Sequence, residues 1–295
     1  MSISNDIKYK YARLSIAEKI IVINAAVFIL NVVIPFLFRL NSNTIVGYFE
    51  LPKRFSDFIQ QPWSIITYTF FHANLMHIFF NMLLLFYSSR IFLNLFSVKR
   101  FINVYFLGGI TGGLLFLLSY NIFPVFLQVN TALIGASAAV MAVLIFICTY
   151  LPNQEVRVIF FNVKLWYLGA FFVLLDLVQI PVSNAGGHIA HLGGALLGFV
   201  YAKKLQDGTD IGKWFENLIS GIVNMFTPRK KRPLKTVHRK PNTSTSSRTG
   251  SSRASTFNKG VEQQKIDDIL DKISKSGYDS LSKEEKDYLF KTGKD

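Results

Sequence analysis

Charge is what this sequence has least of. Only 17% of its 295 residues are charged, while 51% are hydrophobic; a soluble domain carries about a quarter charged residues. An ordinary water-facing surface is thereby excluded for much of the chain. Acidic residues are the scarcer kind, 18 Asp+Glu against 32 Lys+Arg. Cysteine is nearly missing: Cys148 stands alone inside an apolar block, so no intramolecular disulfide forms. A cleavable signal is also missing. Met1 to Lys19 is polar, and the apolar run that follows lacks a small-residue cleavage site, so that run is expected to stay as a first span. Paired charges within the apolar blocks are lacking too, Asp176 being the one charge well inside a span, which argues against a transporter or channel.

What is present is long apolar stretches, which point to lipid as the solvent. A bilayer core of roughly 30 Å takes about 20 helical residues. Six stretches qualify: Ile20–Leu40, Leu75–Phe96, Phe101–Tyr120, Thr131–Tyr150, Lys164–Pro181 and Gly187–Leu205. The expected fold class is all-α, a polytopic six-transmembrane-helix bundle over residues 20–205. Residues 1–19 form a cytosolic N-terminal segment ahead of it. Residues 206–260 are expected to be a basic disordered linker, and 261–295 a small cytosolic helical segment.

Orientation follows from Lys and Arg, which favour the cytoplasmic side. Lys8, Lys10, Arg13 and Lys19 precede span one. Arg90, Lys99 and Arg100 lie between spans two and three, Arg157 and Lys164 between four and five, and Lys203 and Lys204 at the end of six. The loops 121–130 and 182–186 carry no charge. Both termini are therefore expected in the cytoplasm, in a multi-pass protein of a bacterial inner membrane. From Lys203 onward there are 20 basic and 12 acidic residues, against 12 and 6 before it. A basic tail beside a membrane core marks the cytoplasmic face more often than a nucleic-acid partner, so no nucleic acid is expected. The long first loop, about residues 41–74, is apolar enough to lie at the interface and pack on the bundle. In the tail, Ile266, Ile269, Leu270 and Ile273 recur at helical spacing, and Ser282 with Glu285 resembles a capping box.

Polar residues inside a span are costly and call for a reason. His77 and Asn81 in span two, Ser137 in span four, and His188 and His191 in span six all come early in spans that descend from the outer face. They share one layer near the outer surface. Their neighbours are small: Gly135 and Ala139 around Ser137, and Gly193, Gly194 and Gly198 after His191. Span three adds Gly108, Gly109, Gly112 and Gly113. Small-residue ridges let helices approach closely; if the ridge Gly194/Gly198 meets Gly135/Ala139, Ser137 and His191 come within reach. A serine hydroxyl becomes a nucleophile when a neutral histidine takes its proton. The resulting oxyanion needs preplaced donors, which the Ser137 N–H, His77 and Asn81 can supply.

These residues resemble the rhomboid intramembrane serine proteases. His72-Ala-Asn-Leu-Met-His77-Ile-Phe-Phe-Asn81 looks like that family's span-two motif, Gly135-Ala-Ser137-Ala138 its Gly-x-Ser-Gly, and Ala190-His191-Leu-Gly-Gly194-Ala-Leu-Leu-Gly198 its Ala-His-x-x-Gly-x-x-x-Gly. The resemblance covers about residues 20–205. It implies a Ser137/His191 dyad, an oxyanion and substrate-binding site with His77 and Asn81, and single-span transmembrane proteins as substrates. No cofactor and no metal are expected. Ala138 departs from the usual Gly, and Ser64 in Pro62-Trp63-Ser64 stands where Arg is common. Two other readings compete. A catalytically inactive relative that binds membrane clients would usually lack Ser137 or His191, yet both stand. A metal held by His72, His77, His188 and His191 lacks an acidic or Cys partner at ligand spacing. Asp176 is open to orienting a histidine or to a plain structural role and is left unassigned; His72 is read as a packing residue.

Overall fold

Ser15 starts the first long apolar helix. Its side chain accepts the Glu18 N–H while the Glu18 carboxylate accepts the Ser15 N–H, so two otherwise orphan donors are satisfied. A computed structural model describes residues 3–158, 160–226 and 254–292. They are mostly helical and divide into two units, residues 1–230 and 231–295.

In the first unit a polar helix α1 (Ile3–Arg13) leads into α2 (Ile16–Leu37). The long loop that follows is folded into short pieces: α3 (Asn43–Val46), β1 (Leu51–Pro52), α4 (Phe55–Gln60), α5 (Ser64–Thr67) and a 3-10 turn at Tyr68–Phe70. Side chains tie it together, with the Trp63 indole N–H donating to Tyr48 O, the Gln61 amide to Glu50 O and the Thr67 hydroxyl to Phe49 O. Ser64 is fully buried in it. The Tyr68 hydroxyl donates to Gly109 O at 2.7 Å, so the loop packs on the bundle as its composition suggests.

Two long helices come next, α6 (Leu75–Leu95) and α7 (Val98–Ile122). The Asn74 and Ser97 side chains cap them by accepting the His77 and Arg100 N–H groups. Then come β2 (Ala132–Leu133), α8 (Ser137–Tyr150), a hairpin of β3 (Glu155–Val158) and β4 (Phe161–Lys164), α9 (Leu165–Gln179), α10 (Ala185–Gln206) and α11 (Lys213–Phe226). The centre is α8: every residue from Ala138 to Cys148 is buried, with α6, α7, α9 and α10 packed around it. By contrast α2, α6 and α9 turn Ile29, Phe36, Phe79, Phe80, Phe171 and Leu174 outward. An apolar surface of this extent marks contact with lipid rather than water.

Six spans were expected, and among the described residues three helices, α2, α6 and α7, have both the length and the apolar composition to cross a membrane. Span four was expected over 131–150, but its first six residues are not helical. Ala132 and Leu133 pair with Pro52 and Leu51, and Gly135 takes a positive φ, so the helix begins at Ser137 and has 14 residues. The fifth stretch is a 15-residue helix because Lys164 belongs to β4. α10 has 22 residues, but its glycines, His188, His191, Lys203 and Lys204 lower its apolarity.

The expected linker over 206–260 also differs. Phe215 is buried and Glu216 pairs with Lys99, so 213–226 is the helix α11, joined to the bundle. Residues 227–253 lie outside the described residues. In the second unit, α12 (Ala254–Ser276) begins seven residues before the expected start at 261, and α13 (Lys283–Thr292) follows a 3-10 turn. Ser282 and Glu285 exchange their two backbone-to-side-chain bonds as a capping box does. Ile269 and Leu281 are buried, whereas Leu270, expected on the same stripe, is 50% exposed because it lies one residue round the helix from Ile269.

Candidate active site

The approach to Ser137 is held from the first loop. β2 lies against β1, the Gly135 N–H donates to Tyr68 O at 3.0 Å, and the Ala136 N–H donates to His72 Nε2 at 3.4 Å. His72 is buried, with its ring edge-on to His77 at 5.1 Å between centroids. Gly135 has φ +130°, which side chains with a Cβ avoid. A Cβ there would also sit 2.8 Å from His77 Cε1, 2.9 Å from His77 Nε2 and 3.4 Å from Ser137 Oγ. The missing side chain thus leaves a slot onto which the His77 ring and the Ser137 hydroxyl both open. Ser137 is the first residue of α8, where backbone N–H groups have no partner inside the helix and the helix end carries partial positive charge.

His77 is held by its other ring nitrogen. The Ala73 N–H donates to Nδ1 at 3.4 Å, so Nδ1 carries a lone pair and a neutral ring carries its proton on Nε2, the atom beside Gly135. Asn81 is buried one turn further along α6 and gives one amide hydrogen to His77 O at 2.8 Å, leaving its second hydrogen for another acceptor.

The helix α10 reaches α8 through glycine. At Gly194 a Cβ would strike Ala138 O, and at Gly198 it would strike Ala142 O. At Gly112 on α7 a Cβ would lie 2.5 Å from the Ala138 Cβ and 2.6 Å from Ala190 O. At Gly193 it would lie 2.8 Å from Gly112 Cα. Three backbones therefore meet around Gly112, with Ala138 and Ala190 touching it; Ser137 and His191 are the neighbours of those two alanines. The expected ridge pairing is shifted: Gly194 and Gly198 face Ala138 and Ala142, while Ala139 faces Gly108 and Gly109 on α7. Ala138, where the resemblance leads one to expect Gly, places its methyl against Gly112, which has no side chain to oppose it.

His191 makes a contact that the sequence reading leaves unassigned. Its Nδ1 lies 2.8 Å from Asp176 Oδ1, and His188 Nδ1 lies 2.7 Å from the same oxygen. An ionised carboxylate only accepts, so both Nδ1 atoms carry protons and a neutral ring at either position keeps its lone pair on Nε2. The signal in the sequence was Asp176 as the single acidic residue of a span, with two histidines three apart on a later helix. The donor atoms of Asp176, His188 and His191 all lie within 4.8 Å. Their N–O separations are hydrogen-bond lengths, shorter than the gap of about 3.3 Å that tetrahedral zinc ligands at ~2.0–2.1 Å would keep. Neither His72 nor His77 belongs to this group, and Asp176 is the acidic partner that the sequence reading finds lacking.

Residues 60–207 match the model of the rhomboid domain, and residues 257–292, which include most of α12 and all but the start of the tail helices, match a family of unknown function (DUF6576). The mitochondrial presenilin-associated rhomboid-like protein of Rattus norvegicus is 32% identical over 145 residues, 45% of this chain and 35% of that relative. The corresponding Homo sapiens protein is 30% identical over 141 residues, with the same shares. Rhomboid-like protease 3 of Toxoplasma gondii is 27% identical over 172 residues, 57% of this chain and 60% of the relative. The matched region spans between about a third and three fifths of these relatives.

Proposed function

The chain belongs to the rhomboid family, and from that premise we propose that it is an intramembrane serine endopeptidase that cuts transmembrane segments of single-span proteins. Ser137 Oγ attacks the carbonyl carbon of the scissile peptide while His191 Nε2 takes the hydroxyl proton. The carbonyl oxygen becomes an oxyanion, stabilised by the Ser137 N–H, His77 Nε2–H and the second Asn81 amide hydrogen. The C–N bond then breaks, His191 passes its proton to the departing amine, and an acyl ester remains on Ser137. Water, deprotonated by the same imidazole, hydrolyses that ester. No step requires a metal or cofactor.

The observation that carries the reading is the slot at Gly135, where a hydroxyl at a helix N-terminus and an imidazole N–H lie side by side. Donors of this kind contribute about 10²–10³ in rate each when aimed at a developing oxyanion. Ser137, His77 and His191 are each partly accessible, as a site that must admit water requires.

The same proposal extends to topology. Six crossings with both termini on the Lys- and Arg-rich side fit the charge pattern, α8 crossing within a sheath of other helices with the extended residues 131–136 above it. The expected bacterial inner membrane finds no support, since the similar proteins of Rattus norvegicus and Homo sapiens carry mitochondrial names.

A fluorophosphonate probe tests the nucleophile directly. Ser137 is expected to be labelled in the wild type and not after His191→Ala. Labelling that survives His191→Ala, or that maps to another serine, would overturn the dyad.

A further inference from the structure

Asp176 sits in an awkward place. α9 runs from Leu165 to Gln179 with no other charged residue, and Asp176 is 5% exposed within it. A carboxylate withdrawn from water into an apolar helix is strongly unfavourable unless hydrogen bonds replace its solvation. Here the replacement comes from α10: Nδ1–H of His188 and of His191, at 2.7 and 2.8 Å, both on Oδ1. The two rings stand at 81° to each other with centroids 5.7 Å apart, so they reach one oxygen from different directions.

We infer that Asp176 is the positioning residue of the proposed peptidase: it holds His191 in the tautomer and rotamer that turn Nε2 toward Ser137. This rests on the proteolytic reading and adds to it a residue from a third helix. An isolated neutral imidazole divides its proton between Nδ1 and Nε2 and turns about its side-chain bonds. Fixing the proton on Nδ1 removes the tautomer that cannot accept from Ser137, and the bond fixes the ring plane as well. As the imidazolium forms, the carboxylate also lies beside the new positive charge. His188 shares the oxygen, so the contact is divided between two imidazoles rather than dedicated to one. His188 thereby acquires a fixed tautomer too, with its own Nε2 lone pair.

The chemistry excludes a reversed assignment of roles. Asp176 reaches both imidazoles through Nδ1, on the side of the ring away from Nε2, so it is not itself the base for Ser137. Its effect belongs to the rate of the chemical step and not to substrate affinity.

The test is steady-state cleavage of a model single-span substrate by the full chain in lipid vesicles, comparing wild type, Asp176→Asn and Ser137→Ala, with thermal melting of each. Asp176→Asn keeps the side chain's volume but removes the charge, and one of its two amide orientations offers an N–H where Oδ1 accepted. The expected result is a kcat lower by ~10²-fold or more, with KM and melting temperature unchanged. An unchanged kcat would overturn the inference, as would a fall in kcat accompanied by a raised KM and a lowered melting temperature, the mark of a purely structural role. If Asp176→Asn does not fold, Asp176→Glu is read the same way, because its longer arm moves the carboxylate off Nδ1: lowered kcat at unchanged KM and melting temperature supports the inference, and unchanged kcat overturns it. A wild type that cleaves nothing and takes up no fluorophosphonate at Ser137 would remove the proteolytic reading and this inference together. A wild type that cleaves beside an equally active Asp176→Asn would remove this inference alone.

Discussion

Gly194 and Ala138 carry the closest approach between the helices that present the imidazole and the hydroxyl. Because the obstacle a side chain would meet at 194 is the Ala138 backbone carbonyl, it cannot rotate out of the way. Overpacking of this kind typically costs about 1–3 kcal/mol, and relief requires α10 to move off α8. Gly194→Val is therefore expected to lower the melting temperature and abolish cleavage together, while Leu196→Val, on a side chain 61% exposed, leaves both near wild type. Melting curves with a cleavage assay on the same samples check this. The sequence made the polar residues conspicuous, since Ser137, His77, Asn81 and His191 stand in apolar surroundings at one depth. It did not show which faces of the helices meet. The shift from the ridge Gly135/Ala139 to Ala138 and Ala142 as what Gly194 and Gly198 meet, and the sharing of Asp176 by two histidines, both depend on the rotation of one helix against another. Spacing within a single helix does not encode that rotation.

Helix ends were legible where a capping box marks them, as at Ser282 and Glu285 before α13. They were not legible where a strand pair intervenes. Leu51 and Pro52 take up Leu133 and Ala132 from 80 residues away, and hydropathy counts those residues as span. The β3–β4 hairpin had a local trace, the alternation of Glu155, Val156, Arg157 and Val158, but stood between two apolar blocks that drew the attention. The end of α10 shows what continues the fold past Leu205. Asp210 accepts from the Tyr201 hydroxyl at 2.5 Å, from Arg100 at 2.9 and 3.1 Å, and from the Gly212 N–H at 3.1 Å. Burial alone would raise the Asp210 carboxyl, but the bonds from Tyr201, Arg100 and Gly212 together hold it below its ordinary value of 3.8. A carboxyl depressed in the folded state stabilises the fold above its unfolded pKa, and that contribution is lost as pH falls through the lower folded value. The melting temperature should therefore drop below about pH 4, and Asp210→Asn should remove part of that drop while lowering stability at neutral pH. An equally steep acid loss in the variant would assign the drop to other groups.

At the scale of the whole molecule the division is between a core that avoids lipid and helices that meet it. α8 is enclosed, α7 and α10 close over it through glycine, and α2, α6 and α9 present apolar side chains outward. That arrangement explains why length and hydropathy recognise α2, α6 and α7 but not the helices bearing Ser137, Asp176 and His191. The enclosed helix is short at 14 residues, and the helix with the base carries glycine and histidine in place of aliphatic residues. The central helix α8 is as apolar as α2 and is passed over for its length alone, whereas α10 is set apart by its composition. The most direct measurement is cleavage of a single-span substrate, with helix-destabilising residues near its outer end, by the full chain reconstituted in vesicles. Wild-type protein is predicted to release the substrate's outer portion and Ser137→Ala to release none. Cleavage that persists in Ser137→Ala would contradict the account.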